Sequence, residues 1–93
     1  MTFGRGSDPR SWKIINAREL IAWAFEPERT DAEGVALLEF VRDHILVDPD
    51  FGEVISEHTR GARVPGTTLE VIWTIYPQVR AVRVITPLGD EVP

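Results

Sequence analysis

Two runs near the C-terminus limit what this chain can fold into. Leu69-Glu-Val-Ile-Trp-Thr-Ile-Tyr76 and Val79-Arg-Ala-Val-Arg-Val-Ile-Thr86 are rich in β-branched and aromatic residues, as expected of pleated strands with one buried face. Strands are therefore predicted over Thr67 to Tyr76 and Val79 to Thr86, joined as a hairpin by Pro77-Gln78. A two-residue connection places Tyr76 opposite Val79, Trp73 opposite Val82 and Val71 opposite Val84. Leu69, Val71, Trp73, Ile75, Val82 and Val84 then line one face, against which the helices should pack. A one-residue slip would scatter that set. The other face carries Glu70, Ile72, Thr74, Tyr76, Arg83 and Ile85, together with Thr68, Val79 and Ala81. It is more apolar than a purely solvated face requires, so it reads either as a binding surface or as a face partly covered by residues 51 to 64.

The N-terminal half is helical in pattern. Trp12 to Ile15 reads as a short edge strand. Asn16 with Glu19 three residues on resembles a capping box opening a helix from Ala17 to Phe25, which Glu26-Pro27 ends. Thr30-Asp31-Ala32-Glu33 is a stronger start, with a cap oxygen and acids that complement the helix dipole. From it the main helix runs to about Leu46, with Val35, Leu37, Leu38, Val41 and Ile45 as its apolar stripe and Glu39, Arg42 and Asp43 opposite. Asp48-Pro49 stops it. Val54-Ile55 fits a helical turn or a strand equally well, and Pro65-Gly66 suits the centre of a type II turn. The fold class expected is α+β: a short N-terminal strand and two helices on one face of a small antiparallel sheet that ends in a C-terminal hairpin.

Ninety-three residues, 43% of them hydrophobic and 27% charged, allow one globular core and no second domain. Residues 1–11 read as a flexible tail and 12–93 as a single domain. The chain has no cysteine, which removes disulfides and thiolate chemistry and points to the cytoplasm. Neither a membrane span nor a signal peptide is visible. Charge is uneven: residues 1–18 carry four bases against Asp8, a net of +3, whereas 19–57 carry eleven acids against Arg29 and Arg42, a net of −9. Such a balance argues against direct nucleic-acid binding over a broad face and favours cationic partners.

No motif dictates chemistry. Asp43, His44, Asp48, Asp50, Glu53, Glu57 and His58 are dense in hard ligands but lack the spacing of a calcium loop or a zinc helix, so a solvated acidic surface is expected and no metal. His44 and His58 are the only candidate bases near neutral pH. Ser7, Ser11 and Ser56 have no nucleophile signature, and Gly4-Arg-Gly6 does not sit between a strand and a helix as a phosphate loop must. Trp12, Trp23 and Trp73 read as core or core-edge groups. Arg80 and Arg83 are placed on opposite faces of one strand, and no cofactor is implied.

The order of strand, two helices, proline-punctuated linker and terminal strands resembles the RelE/ParE toxin superfamily. The resemblance rests on Ala36 to Ile45, Asp48-Pro-Asp-Phe-Gly52 and the two terminal strands, covering residues 12 to 86. It implies either a ribosome-dependent mRNA endonuclease, with Arg60, Arg63, Arg83 and Tyr76 in catalytic positions, or a relative that inhibits by binding a protein. Pro87 to Pro93 contains no base or aromatic where nuclease members commonly supply one, so the second is the expectation. The chain thus reads as a toxin-like inhibitor of a cellular protein, of a kind carried by phage or mobile elements, with Glu70, Ile72, Thr74, Tyr76, Arg83 and Ile85 as its binding surface. An antitoxin-like partner and a homodimer are both compatible with it. A third reading is a nucleic-acid mimic presenting the acidic segment.

Overall fold

The computed structural model describes residues 12–27 and 31–88. The predicted tail at 1–11, the cap at Thr30 and the acidic C-terminal residues lie outside the described residues. The class is α+β, with elements β1 (Lys13–Ile14), α1 (Ala17–Ala24), α2 (Asp31–Phe40), β2 (Glu53–Ser56), β3 (Thr59–Arg63), β4 (Glu70–Tyr76) and β5 (Ala81–Thr86). They form one five-stranded sheet in the order β1-β5-β4-β3-β2. The sheet is mixed and not wholly antiparallel, because β1 runs parallel to β5 while every other pair is antiparallel.

Both helices cover the face that the alternation selects. Leu20, Trp23 and Ala24 of α1 and Leu37 and Phe40 of α2 are buried together with Val71, Trp73, Ile75, Val82 and Val84, and Leu69 packs against them. Each fully buried Val, Leu or Ile contributes about 1.5–3 kcal/mol relative to exposure. The stripe of α2 is rotated from the predicted one: Phe40 is buried, whereas Val35 is exposed. Gly34 sets this rotation, because the α2 backbone lies directly against the Ala24 carbonyl at the end of α1, where a Cβ would collide. Beyond Phe40 the helix widens into a π-type turn over Val41–Ile45, which keeps Val41 and Ile45 inward.

Three further expectations are corrected. The first concerns Asn16, which precedes α1 but makes no side-chain cap. Its Nδ2 donates to the Val84 carbonyl (2.7 Å) and its Oδ1 accepts from the Val84 amide (3.1 Å). A buried amide thus stitches the start of α1 to β5.

The second is the hairpin register. Tyr76 pairs with Ala81 and Trp73 with Val84, so Trp73 is not opposite Val82 nor Val71 opposite Val84. Arg83 accordingly faces Thr74, not Ile72. The connection is longer than two residues: Pro77–Val79 make a 3-10 turn and Arg80 takes a left-handed conformation at φ 52°. Arg80 therefore precedes β5, and its guanidinium lies 4.8 Å from the centre of the Trp12 ring. The displacement is two residues, so side-chain faces are preserved.

The third concerns residues 51–64, which extend the sheet edgewise as β2 and β3 and do not fold over its outer face. The turn at Pro65-Gly66 is as expected, with Gly66 at φ 79° and the Thr67 amide donating to the Val64 carbonyl (3.1 Å).

No helix among the described residues is long and apolar enough to cross a membrane.

Candidate functional site

With the helices on one side, the face of the sheet turned away from them is the surface to assess. Pairing of Arg63 with Glu70, Gly61 with Ile72, and Thr59 and Arg83 with Thr74 places these residues together on that face. Tyr76 continues the same alternation along β4. Ile72, Thr74, Tyr76 and Arg83 are half-buried, and Glu70 is exposed. Ile85 is the extra residue of an irregularity in β5, since Ile72 pairs with Thr86 while Trp73 pairs with Val84. The six residues expected to form a binding surface are thus on two adjacent strands.

Gly61 shapes the neighbouring part of this face. It is buried on β3, and a Cβ there would stand 3.0 Å from Ile55 Cδ1 and 3.6 Å from Ile72 Cγ1. The side chain of Ile55 therefore folds over the bare backbone towards Ile72. A shallow groove of about 290 Å³ runs beside them, rimmed by Glu53, Arg63 and Glu70. Arg63 Nη2 lies 3.4 Å from Glu70 Oε2, and both side chains are exposed, so this pair contributes little to stability.

The residues that the toxin resemblance nominates as catalytic are not assembled. Arg60 pairs with Trp73 and so projects to the helix side of the sheet. There its Nη1 donates to the carbonyls of Ser56 (2.9 Å), Glu57 (3.3 Å) and Thr59 (3.1 Å), and its Nη2 to Asp50 Oδ1 (3.3 Å). The side chain, only 14% exposed, holds the β2–β3 turn in shape. Arg63 sits at the Glu70 end of β4, while Tyr76 and Arg83 lie toward its other end. Of the four, only Tyr76 and Arg83 come close to one another, as diagonal neighbours across β4 and β5.

The histidines are equally separated. His44 is exposed on the π-type turn, its ring 5.2 Å from Phe40 and 6.0 Å from Phe51. Phe51 stacks on Trp73 at 5.3 Å, and the Trp73 indole N–H donates to the Pro49 carbonyl (2.8 Å). His44 therefore caps an aromatic column that anchors the linker to the core. The shallow hollow of about 190 Å³ beside it is lined by Ala36, Glu39, Phe40, Asp43, His44, Val64 and Pro65, and offers no hydroxyl or thiol to activate. Arg42 Nε donates to Asp43 Oδ1 (2.6 Å). That hydrogen bond, aided by charge attraction, holds the Asp43 carboxyl below the usual carboxylate range and raises Arg42. His58 is at the β2–β3 turn, 3.8 Å from Glu57.

Among the described residues, no three of His, Asp and Glu come together in a way that could hold a metal ion. What sequence reasoning missed is the exposed strand β2, with Val54 67% and Ile55 52% accessible. The signal available was weak: Glu57-His58 connects β2 to β3 as a two-residue turn without the glycine or asparagine that marks such hairpins.

Comparison with family models, with curated proteins and with solved structures finds no match.

Proposed function

We propose that this protein is a small binding module that acts in the cytoplasm by occupying the surface of a cellular protein, as a toxin-like inhibitor of the kind carried by phage or mobile elements. One observation carries the reading: the sheet face opposite the helices is left open by every described element, yet bears Ile55, Ile72 and Tyr76. Apolar and aromatic groups clustered with a few charges are what protein interfaces use at their centres. The acidic helical half adds a preference for cationic partners. The endonuclease reading has less support, because Arg60 is committed to backbone carbonyls on the far side of the sheet.

Expression of the tagged chain in a bacterial host tests this directly, with growth recorded and bound material captured with and without nuclease treatment. The expected result is growth arrest, one stoichiometric protein retained after nuclease treatment, and intact transcripts. Ile72→Glu, which places a charge at the centre of the face, should abolish capture while leaving the far-UV circular dichroism spectrum unchanged. Ribosome-associated messages cleaved by a chain that retains no protein would overturn the proposal in favour of the nuclease.

A further inference from the structure

β2 ends its side of the sheet, and no described residue pairs with its outer edge. A free edge presents a row of backbone donors and acceptors that can accept another strand. Proteins usually guard such edges with lysine, proline, extreme shortness or a bulge. β2 has neither lysine nor proline. Its guards are an irregularity between Val54 and Ser56 and the charge of Glu53, and all four of its residues are exposed. The opposite edge is different, because β1 is only two residues long.

The charge around β2 is predominantly acidic. Asp48, Asp50, Glu53 and Glu57 are all exposed, and no Lys or Arg occurs between Arg42 and Arg60. Of the nearby arginines, Arg60 is engaged with Asp50 and three carbonyls, and Arg63, on the rim of the groove, lies 3.4 Å from Glu70. A second copy would bring two acidic edges together, and facing like charges destabilise strand pairing. A basic strand would meet complementary charge.

Resting on the protein-binding reading above, we propose that the outer edge of β2 accepts an extended basic segment of a partner protein as a sixth strand. Main-chain hydrogen bonds along β2 supply affinity, and alternate side chains supply specificity. On the outer face, an apolar residue of the segment packs on Ile55 and reaches the groove rimmed by Glu53, Arg63 and Glu70. Its lysines or arginines pair with Glu53 and Glu57, and Val54 receives the apolar residue that points to the helix side.

The test uses the full chain to select from displayed random nonapeptides, then titrates synthetic versions of the selected peptides and follows backbone amide exchange. The expected peptides carry adjacent Val, Ile or Thr residues, for Val54 and Ile55, flanked by Lys or Arg, and their binding slows exchange within residues 53–56. Combined Glu53→Lys and Glu57→Lys substitutions, both at exposed sites, should weaken those peptides about tenfold, the effect of losing two surface ion pairs, and should redirect selection to acidic peptides. Three outcomes overturn the inference. Peptides that bind without protecting 53–56 place the site elsewhere and leave the protein-binding reading standing. Protection of 53–56 in a peptide-free dimer assigns the edge to a second copy. Failure to retain any peptide above an unrelated control removes the edge site, whereas the broader reading falls only if the capture experiment also retains no protein.

Discussion

Substitution of Asn16 separates two physical roles that the same residue could fill. Asn16 is 4% exposed and Val84 is fully buried, so Asn16→Ala strands the Val84 amide and carbonyl away from water. A buried polar group left without its partner costs about 1–3 kcal/mol, and two such groups therefore cost about 2–6 kcal/mol. A chain of this length has a total stability of about 5–14 kcal/mol. With a urea slope of about 1.2 kcal/mol/M, a loss of about 3 kcal/mol lowers the unfolding midpoint by about 2.5 M, followed by tryptophan fluorescence and circular dichroism.

Asn16→Asp is the decisive control, because aspartate is as good a helix cap as asparagine but cannot donate to the Val84 carbonyl. It should be destabilised like Asn16→Ala at pH 7. Its carboxylate would sit buried against that carbonyl, which raises its folded-state pKa above the unfolded value of about 3.9. The folded state then binds the extra proton, so stability falls as pH rises from that value through the folded one. The deficit of Asn16→Asp should accordingly shrink on acidification toward pH 4. Wild-type stability of Asn16→Asp at neutral pH, or a midpoint loss below about 0.5 M for Asn16→Ala, would refute the cross-link and restore the cap.

Three further outcomes are expected. Gly34→Ala should lower stability by about 1–3 kcal/mol in the same urea assay, despite the helix preference of alanine, because the new methyl meets the Ala24 carbonyl and the helices must separate. Trp73→Phe keeps the aromatic stack but abandons the Pro49 carbonyl, for a loss of about 1–3 kcal/mol, and amide exchange should quicken across residues 50–52, the segment next to the carbonyl that bond anchors. Arg42→Gln should move the Asp43 titration, read by carboxyl NMR, up into the ordinary carboxylate range. Asp43 is held low in the native chain, so whatever it adds is present above its unfolded pKa and lost as pH falls through the folded one. High salt should mimic the substitution in part, because the pair is fully exposed.

The parts of the fold legible in the sequence are those governed by periodicity. The buried face of β4 and β5 follows from alternation alone, and the two-residue error in register left it intact because side chains repeat every two residues. The error came from the connection. Pro77-Gln78 reads as the whole turn, but Val79 and Arg80 also belong to it, and nothing local announces an arginine in the left-handed region. The helix stripe failed for a related reason. Val35 and Phe40 exchange places because α2 is pressed against α1 at Gly34, a tertiary contact that helical periodicity does not encode. Asn16 is subtler still: its sequence context satisfies the rule for a cap, yet a strand 68 residues away claims both of its polar atoms.

The surface divides along the same line. Membership of the outer face by Glu70, Ile72, Thr74, Tyr76 and Arg83 depends only on parity along two strands, so it was readable before their pairing was known. The β2 edge depends on which strand ends the sheet, and that is a property of the assembly. Four residues flanked by glycine and an acidic turn carry too short a pattern to distinguish strand from helical turn. Only pairing with β3, secured by the carbonyl contacts of Arg60 at the turn, makes Val54 and Ile55 the rim of the molecule. The same arginine that the toxin resemblance nominates as catalytic is therefore what holds the proposed docking strand in place. Arg60→Ala should therefore loosen β2, read as faster amide exchange within residues 53–56.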